Sequence, residues 1–270
     1  MMSARVVFER RGAGEPLVLL HGIGHRWQAW QPVIDRLAER HDVIAIDLPG
    51  FGSSPELSTV DEYSVESTMD NLVELFGEFG VPRPHIAGNS LGGMLALELA
   101  SRGVVRSATA LSPAGFWTAR DRAYALATLR TLRSTARHTP APLIAAVAKR
   151  RALRALAGAI MYGRPSLVSP ESMVGDMRAL ATAKAFDAVA HNGRDYFFAA
   201  DPPTVPVTVA WGTRDRILWP RQAREAARLL PAANHVPLPR CGHVPMSDDP
   251  RLIANVILDT CRLSTLDKVA

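Results

Sequence analysis

Apolar residues in this chain follow two alternating rhythms. Short runs rich in Val, Ile and Leu occur at residues 6–8, 17–20, 43–46, 85–87, 108–111, 207–211 and 235–238. Unbroken apolar runs of this length, bounded by turn residues, predict strands buried on both faces. Helical periodicity fills the intervals at 30–40, 65–79, 91–101, 221–230 and 250–263. Buried strands alternating with amphipathic helices predict an α/β fold, with a mostly parallel central sheet covered by helices on both faces.

The alternation breaks once. Between Pro113 and Pro203 no strand pattern occurs, only Ala-, Leu- and Arg-rich helical stretches at 124–136 and 143–160, punctuated by Gly163, Pro165 and Pro170. The pattern predicts a helical insertion of about ninety residues after about the sixth strand. Residues 1–113 and 202–270 then form the α/β core, and 114–201 the inserted helical unit. No internal repeat or low-complexity linker is present.

Composition agrees with a folded chain. At 270 residues and 47% hydrophobic it is long enough to bury a large core. No run approaches the eighteen or so consecutive apolar residues of a membrane span. The start, Met1 to Arg5, leads into a segment carrying Glu9, Arg10 and Arg11 instead of a signal-peptide core, so a cytoplasmic protein is expected. Cys241 and Cys261 are expected to be free thiols, and no CxxC or clustered His/Cys spacing suggests a metal.

Charge is unevenly placed. The formal net charge is +5, yet residues 119–195 alone hold thirteen Lys or Arg against five Asp or Glu, leaving the remainder at −3. This basic segment lacks interleaved aromatics and any nucleic-acid motif, which argues against a nucleic-acid partner. A solvated arginine-rich face is the plain reading; attraction to anionic lipid or an acidic substrate is the sharper one.

The candidate chemistry starts at Gly88-Asn89-Ser90-Leu91-Gly92-Gly93, between a predicted strand and a predicted helix. An abrupt strand-to-helix turn puts its corner residue in a strained conformation, and small neighbours relieve the crowding. The arrangement presents Ser90 at the C-terminal edge of the sheet and turns the first N–H groups of the next helix toward whatever Ser90 attacks. A serine hydroxyl needs a base, and the base needs an orienting group. Two later strands end in Gly212-Thr213-Arg214-Asp215 and Arg240-Cys241-Gly242-His243. Taken alone, Asp215 has a loop-surface carboxylate, and His243 a core or capping histidine, as the plainer alternative. Together with the elbow they read as orienter and general base for Ser90. The oxyanion donors are then expected from the N–H of Leu91 and, in the tight His21-Gly22-Ile23-Gly24 loop, that of Ile23.

These motifs together resemble the α/β-hydrolase family. The matching residues are His21-Gly22, the loop from Asp47 to Ser54, the elbow around Ser90, Trp211-Gly212-Thr213-Arg214-Asp215 and Gly242-His243, in the family's order. The resemblance covers nearly the whole chain apart from the insertion, and implies that residues 114–201 are a cap roofing the active site. It implies a serine hydrolase acting on a carboxylic ester or similar acyl compound, with a small-molecule substrate and neither cofactor nor metal. In the family's epoxide hydrolases and haloalkane dehalogenases an aspartate stands where this chain has Ser90, which argues against both reactions. Family hydrolases of carbon–carbon bonds in ring-fission products share the Gly-Asn-Ser elbow but commonly carry an aromatic residue after the histidine, where this chain has Val244. Perhydrolases, hydroxynitrile lyases and ligand-binding receptors of the family reuse the same residues and stay open at this point. Asp47 is expected to be structural, and His25, Trp27 and Trp30 to pack on the core.

Overall fold

A computed structural model describes residues 6–266 of the chain. Seven strands, β1 (Phe8–Arg11), β2 (Glu15–Leu20), β3 (His41–Ile46), β4 (His85–Asn89), β5 (Ser107–Leu111), β6 (Val207–Gly212) and β7 (Asn234–Leu238), form one sheet in the order β1-β3-β2-β4-β5-β6-β7. Only β1 runs antiparallel, against β3; the rest pair in parallel. The side chains of Leu17 to Leu20 and Val43 to Ile46 are wholly buried, as unbroken apolar runs between two helical layers require.

The layers follow from the intervening sequence. Helices α1 (Gln31–Ala38), α2 (Val65–Glu78) and α3 (Leu91–Ser101) precede the insertion. Ser64 caps α2 by accepting from Ser67 N–H at 3.2 Å, and the helix buries Met69, Leu72, Leu75 and Phe76, one stripe at helical spacing. The α3 helix is buried along most of its length, so its Leu and Ala run carries no polar stripe. Each fully buried Leu contributes about 1.5–3 kcal/mol relative to an exposed one, so this helix contributes heavily to the core.

Between β5 and β6 the described residues form five helices: α4 (Ala119–His138), α5 (Ala141–Lys149), α6 (Arg151–Ala157), α7 (Pro170–Thr182) and α8 (Phe186–Asn192). Helices α9 (Gln222–Leu229), α10 (Pro245–Asp248) and α11 (Pro250–Leu266) complete the chain. Two expectations need correction. Five strands, not about six, precede the helical segment among the described residues, one for each of the five apolar runs before Pro113. The predicted helix 143–160 is two helices, because Arg150 is extended (φ −92°, ψ 113°). The Arg154 guanidinium takes the Ala148 carbonyl at the end of α5, satisfying there what another helical turn would have satisfied.

The helical segment is stitched to the sheet. Lys184 and Ala185 N–H both donate to Gly50 O, at 3.0 and 3.1 Å, and Phe186 and Leu180 belong to the same contiguous apolar core as β2 and β4. Because β2 and β4 through β7 run parallel, the loops that leave them gather at one edge of the sheet. No helix among the described residues is long and apolar enough to cross a membrane. Both cysteines are free and buried, as expected.

Candidate active site

Ser90 occupies the corner between β4 and α3 with φ 56° and ψ −112°, a region L-residues rarely adopt. The surroundings hold it there. A Cβ on Gly88 would stand 2.0 Å from Gly92 O, and one on Gly92 would stand 2.2 Å from Leu20 O, so neither position admits a side chain. Ser90 N–H donates to Leu111 O at 3.0 Å, and Ser90 O accepts from Met94 N–H at 3.0 Å and Ala114 N–H at 3.2 Å. No side chain caps α3, which leaves its first N–H groups to the cavity that Leu91 lines.

The β2 exit loop lies against this corner. A Cβ on Gly22 would meet Ser90 Cβ at 3.2 Å, and a turn closed by His25 N–H to Gly22 O, at 3.1 Å, carries Ile23. Buried His21 pins the loop: its Nδ1–H donates to Gly22 O at 2.7 Å and its Nε2 accepts from Leu48 N–H at 3.0 Å. Burial pushes its pKa down to about 3, so the ring is neutral.

Asp215 and His243 meet as the sequence predicts. Asp215 Oδ2 and His243 Nδ1 lie 2.8 Å apart with both side chains buried. Asp215 Oδ1 accepts from Ile217 and Leu218 N–H at 2.9 and 2.8 Å, which fixes the carboxylate plane. The loops bearing the two residues are joined by Arg214 N–H to Cys241 O at 2.8 Å, and Gly212 and Gly242 pack backbone to backbone. Asn89 ties Ser90's own strand to the histidine: its Nδ2 donates to His243 O at 2.9 Å and to Leu111 O at 3.0 Å. Among the described residues no hydrogen bond closes between Ser90 Oγ and the His243 ring.

Sequence reasoning missed Asp248. Its buried carboxylate accepts from Gly242 N–H at 2.7 Å, Gly163 N–H at 2.8 Å and Arg164 N–H at 2.6 Å, clamping the histidine loop to the helical segment. Burial raises its pKa and these three donors oppose the rise. Met161 adds its carbonyl as acceptor for the His243 and Val244 N–H groups, at 2.8 and 3.1 Å. No spacing signal marks either role, because each contact has a backbone group, not a second side chain, as its partner.

A cavity of about 650 Å³ opens on Ser90, and Ile23 and Leu91 line it beside Met94, Leu126, Leu129 and Leu218. Its apolar wall suits an acyl chain or an aromatic group. Asp47 does the structural work expected, accepting from Trp27 N–H at 2.6 Å and Ser53 N–H at 2.8 Å, and His25 and Trp30 are buried. Phe197 is exposed, with the Arg122 guanidinium 4.7 Å over its ring. One grouping has metal-ligand chemistry: His41, His85 and Cys261 can bring donor atoms within 4.8 Å of one another. It sits at the starts of β3 and β4, the opposite edge from Ser90, and hydrogen bonds to Glu15 and Ser107 already engage its imidazoles.

A family model described as the alpha/beta hydrolase family matches residues 17–256. Lipase 3 of Moraxella sp. (strain TA144) is 27% identical over 253 residues, covering 90% of this chain and 76% of that protein. Among solved structures, a membrane phospholipase A described as a bacterial virulence factor is 27% identical with a TM-score of 0.71, covering 95% of this chain and 83% of that one. An epoxide hydrolase of Bacillus megaterium superposes with a TM-score of 0.75 at 16% identity, covering 95% and 96%. That last likeness shows the fold alone.

Proposed function

The chain belongs to the alpha/beta hydrolase family, and on that premise we propose that it is a serine hydrolase cleaving a carboxylic ester or related acyl compound through an acyl-enzyme. The observation that carries the reading is the buried Asp215–His243 bond of 2.8 Å, held to the strained Ser90 corner through Asn89. Asp215 accepts from Nδ1–H, which leaves Nε2 unprotonated and fit to take the Ser90 proton once substrate draws the two together. Ser90 Oγ adds to the carbonyl carbon, and the N–H groups of Leu91 and Ile23 receive the developing oxyanion. His243 returns the proton to the leaving alcohol. It then deprotonates the water that releases the acid and regenerates Ser90.

Residues 114–201 serve in this proposal as the cap that closes the cavity, with Asp248 and Met161 linking cap to histidine loop. The names of a lipase and a phospholipase A among the relatives concur with an ester bond. The carbon–carbon hydrolase alternative rested on Asn89; since its amide is committed to two backbone carbonyls, its identity is explained by packing instead. An aspartate nucleophile, as an epoxide hydrolase would need, has no place where Ser90 stands.

A fluorophosphonate probe and p-nitrophenyl esters of graded chain length test the proposal together. Stoichiometric labelling at Ser90, sustained multiple turnover, and loss of both in Ser90→Ala with an unchanged melting temperature are expected. Substantial turnover by Ser90→Ala overturns the mechanism, and labelling followed by a single slow turnover identifies a ligand-binding receptor.

A further inference from the structure

The α5–α6 corner combines two features that globular surfaces keep apart. Residues 122–170 hold nine Lys or Arg and no Asp or Glu. Within that stretch, residues 141–148 carry no polar side chain, yet of these only Ala148 is buried. Leu143, Leu153, Leu156 and Leu167 expose 53%, 41%, 78% and 59% of their surface, and Leu156 is the most exposed of the large apolar residues described. Leucines this open, all within residues 143–167, are exposed apolar surface of the kind that marks an interaction site.

Hydrogen bonds tie the corner together. Buried Arg154 donates to Ala148 O at the end of α5 and to Ser166 O, at 3.4 Å, in the loop that carries Leu167. The leucines therefore project from a hydrogen-bonded frame. Around them, Arg137, Lys149, Arg150 and Arg151 are exposed, and among the described residues none has a carboxylate partner; the segment's paired cations are Arg133, with Asp187, and Arg164, with Asp249.

We propose that this corner docks the enzyme on anionic phospholipid bilayers, its leucines entering the acyl boundary while the four free cations meet lipid phosphates. The chemistry selects this occupant over a second copy of the chain. A two-fold contact through the same patch would set unpaired cations against their own images with no acid to separate them. The apolar run of eight residues is too short to span a bilayer and suits a helix lying in its interface. The docking is independent of the chemistry at Ser90.

Co-sedimentation of the full chain with vesicles of phosphatidylcholine, with and without about a third phosphatidylglycerol, tests the surface. The wild type is expected to bind the anionic vesicles at least about tenfold more tightly than the neutral ones, and binding is expected to weaken about tenfold as salt rises from 0.05 to 0.5 M. The double variant Leu153→Ser with Leu156→Ser keeps every charge and is expected to lose about tenfold in anionic-vesicle binding at an unchanged melting temperature. Replacing Lys149, Arg150 and Arg151 with Gln is expected to abolish the preference for anionic lipid. Three results overturn the proposal: no wild-type binding to anionic vesicles, equal binding to neutral ones, or full binding by the leucine variant. The last marks a charge-only surface for an acidic protein or polyanion.

Discussion

His21 makes the fold acid-sensitive in a calculable way. Its ring is wholly buried and both nitrogens are occupied by the neutral form, Nδ1–H donating to Gly22 O and Nε2 accepting from Leu48 N–H. A second proton on Nε2 would face the Leu48 N–H in a ring with no exposed surface. Burial accordingly holds the folded-state pKa at about 3, against 6.5 for a free histidine. As pH falls through 6.5 the unfolded chain takes up a proton that the folded chain refuses until about pH 3. Unfolding therefore gains protons across that window, and stability falls with falling pH. At about 1.4 kcal/mol per unit, His21 removes about 2 kcal/mol by pH 5 and about 5 kcal/mol at the acid end of the window, while above 6.5 it contributes no slope. His85, also lowered by burial, adds in the same direction, and the raised carboxyls of Asp47 and Asp248 act in the opposite one. These contributions cancel in a comparison with His21→Gln, which keeps an acceptor for Leu48 and cannot titrate. Urea unfolding at pH 7 and pH 5 is the assay. The variant should be less stable at pH 7, yet the wild type should lose about 2 kcal/mol more than the variant between the two pH values. Equal losses would refute the neutral, locked imidazole.

Three further outcomes follow from particular contacts. Asp215→Asn should retain the fold, since an amide oxygen still accepts from Ile217 and Leu218, but its NH₂ group faces Nδ1 and enforces the wrong tautomer; kcat on an activated ester should fall on the order of 10⁴-fold. Asp248→Asn brings an N–H against one of three backbone donors and should cost about 1–3 kcal/mol in urea unfolding while lowering kcat more than it raises KM. Gly92→Ala places a methyl 2.2 Å from Leu20 O, backbone that cannot yield, and should lower stability by about 3 kcal/mol or more; a variant with the wild-type melting temperature would contradict the packing.

Much of the fold was legible because the core strands are uninterrupted apolar runs. Leu17 to Leu20 and Val43 to Ile46 are buried on both faces, so their pattern cannot be mistaken for a surface strand. The edges were harder to read. In β1, Phe8 to Arg11 alternates exposed and half-buried positions, and the sequence pattern placed that strand about two residues early. The broken helix at Arg150 was invisible because Lys149-Arg150-Arg151 has good helix propensity; in the fold Arg150 is extended and the Arg154 guanidinium, six residues on, takes the Ala148 carbonyl. Among the candidate site residues, Ser90 was legible from its glycine-flanked elbow, and Asp215 and His243 only in combination with it. Asp248 was not, since a carboxylate that binds three backbone N–H groups leaves no side-chain partner whose spacing could reveal it.

That division bears on how the site is built. The residues proposed for the chemistry stand on loops leaving β4, β6 and β7, where parallel strands deliver them to one edge whatever the helical segment does. Their mutual position, however, is set by contacts that cross the chain: Asn89 to the His243 carbonyl, Met161 O to His243 N–H, and Asp248 to both Gly242 and Gly163. Two of these three reach into residues 161–163, so the histidine loop is held by the helical segment as much as by the sheet. A change that loosens that segment should therefore move His243 before it disturbs Ser90, whose corner is locked by Gly88, Gly92 and the Leu111 carbonyl. In such a variant fluorophosphonate labelling, which needs both serine and base, should slow while the fold around β4 stays intact.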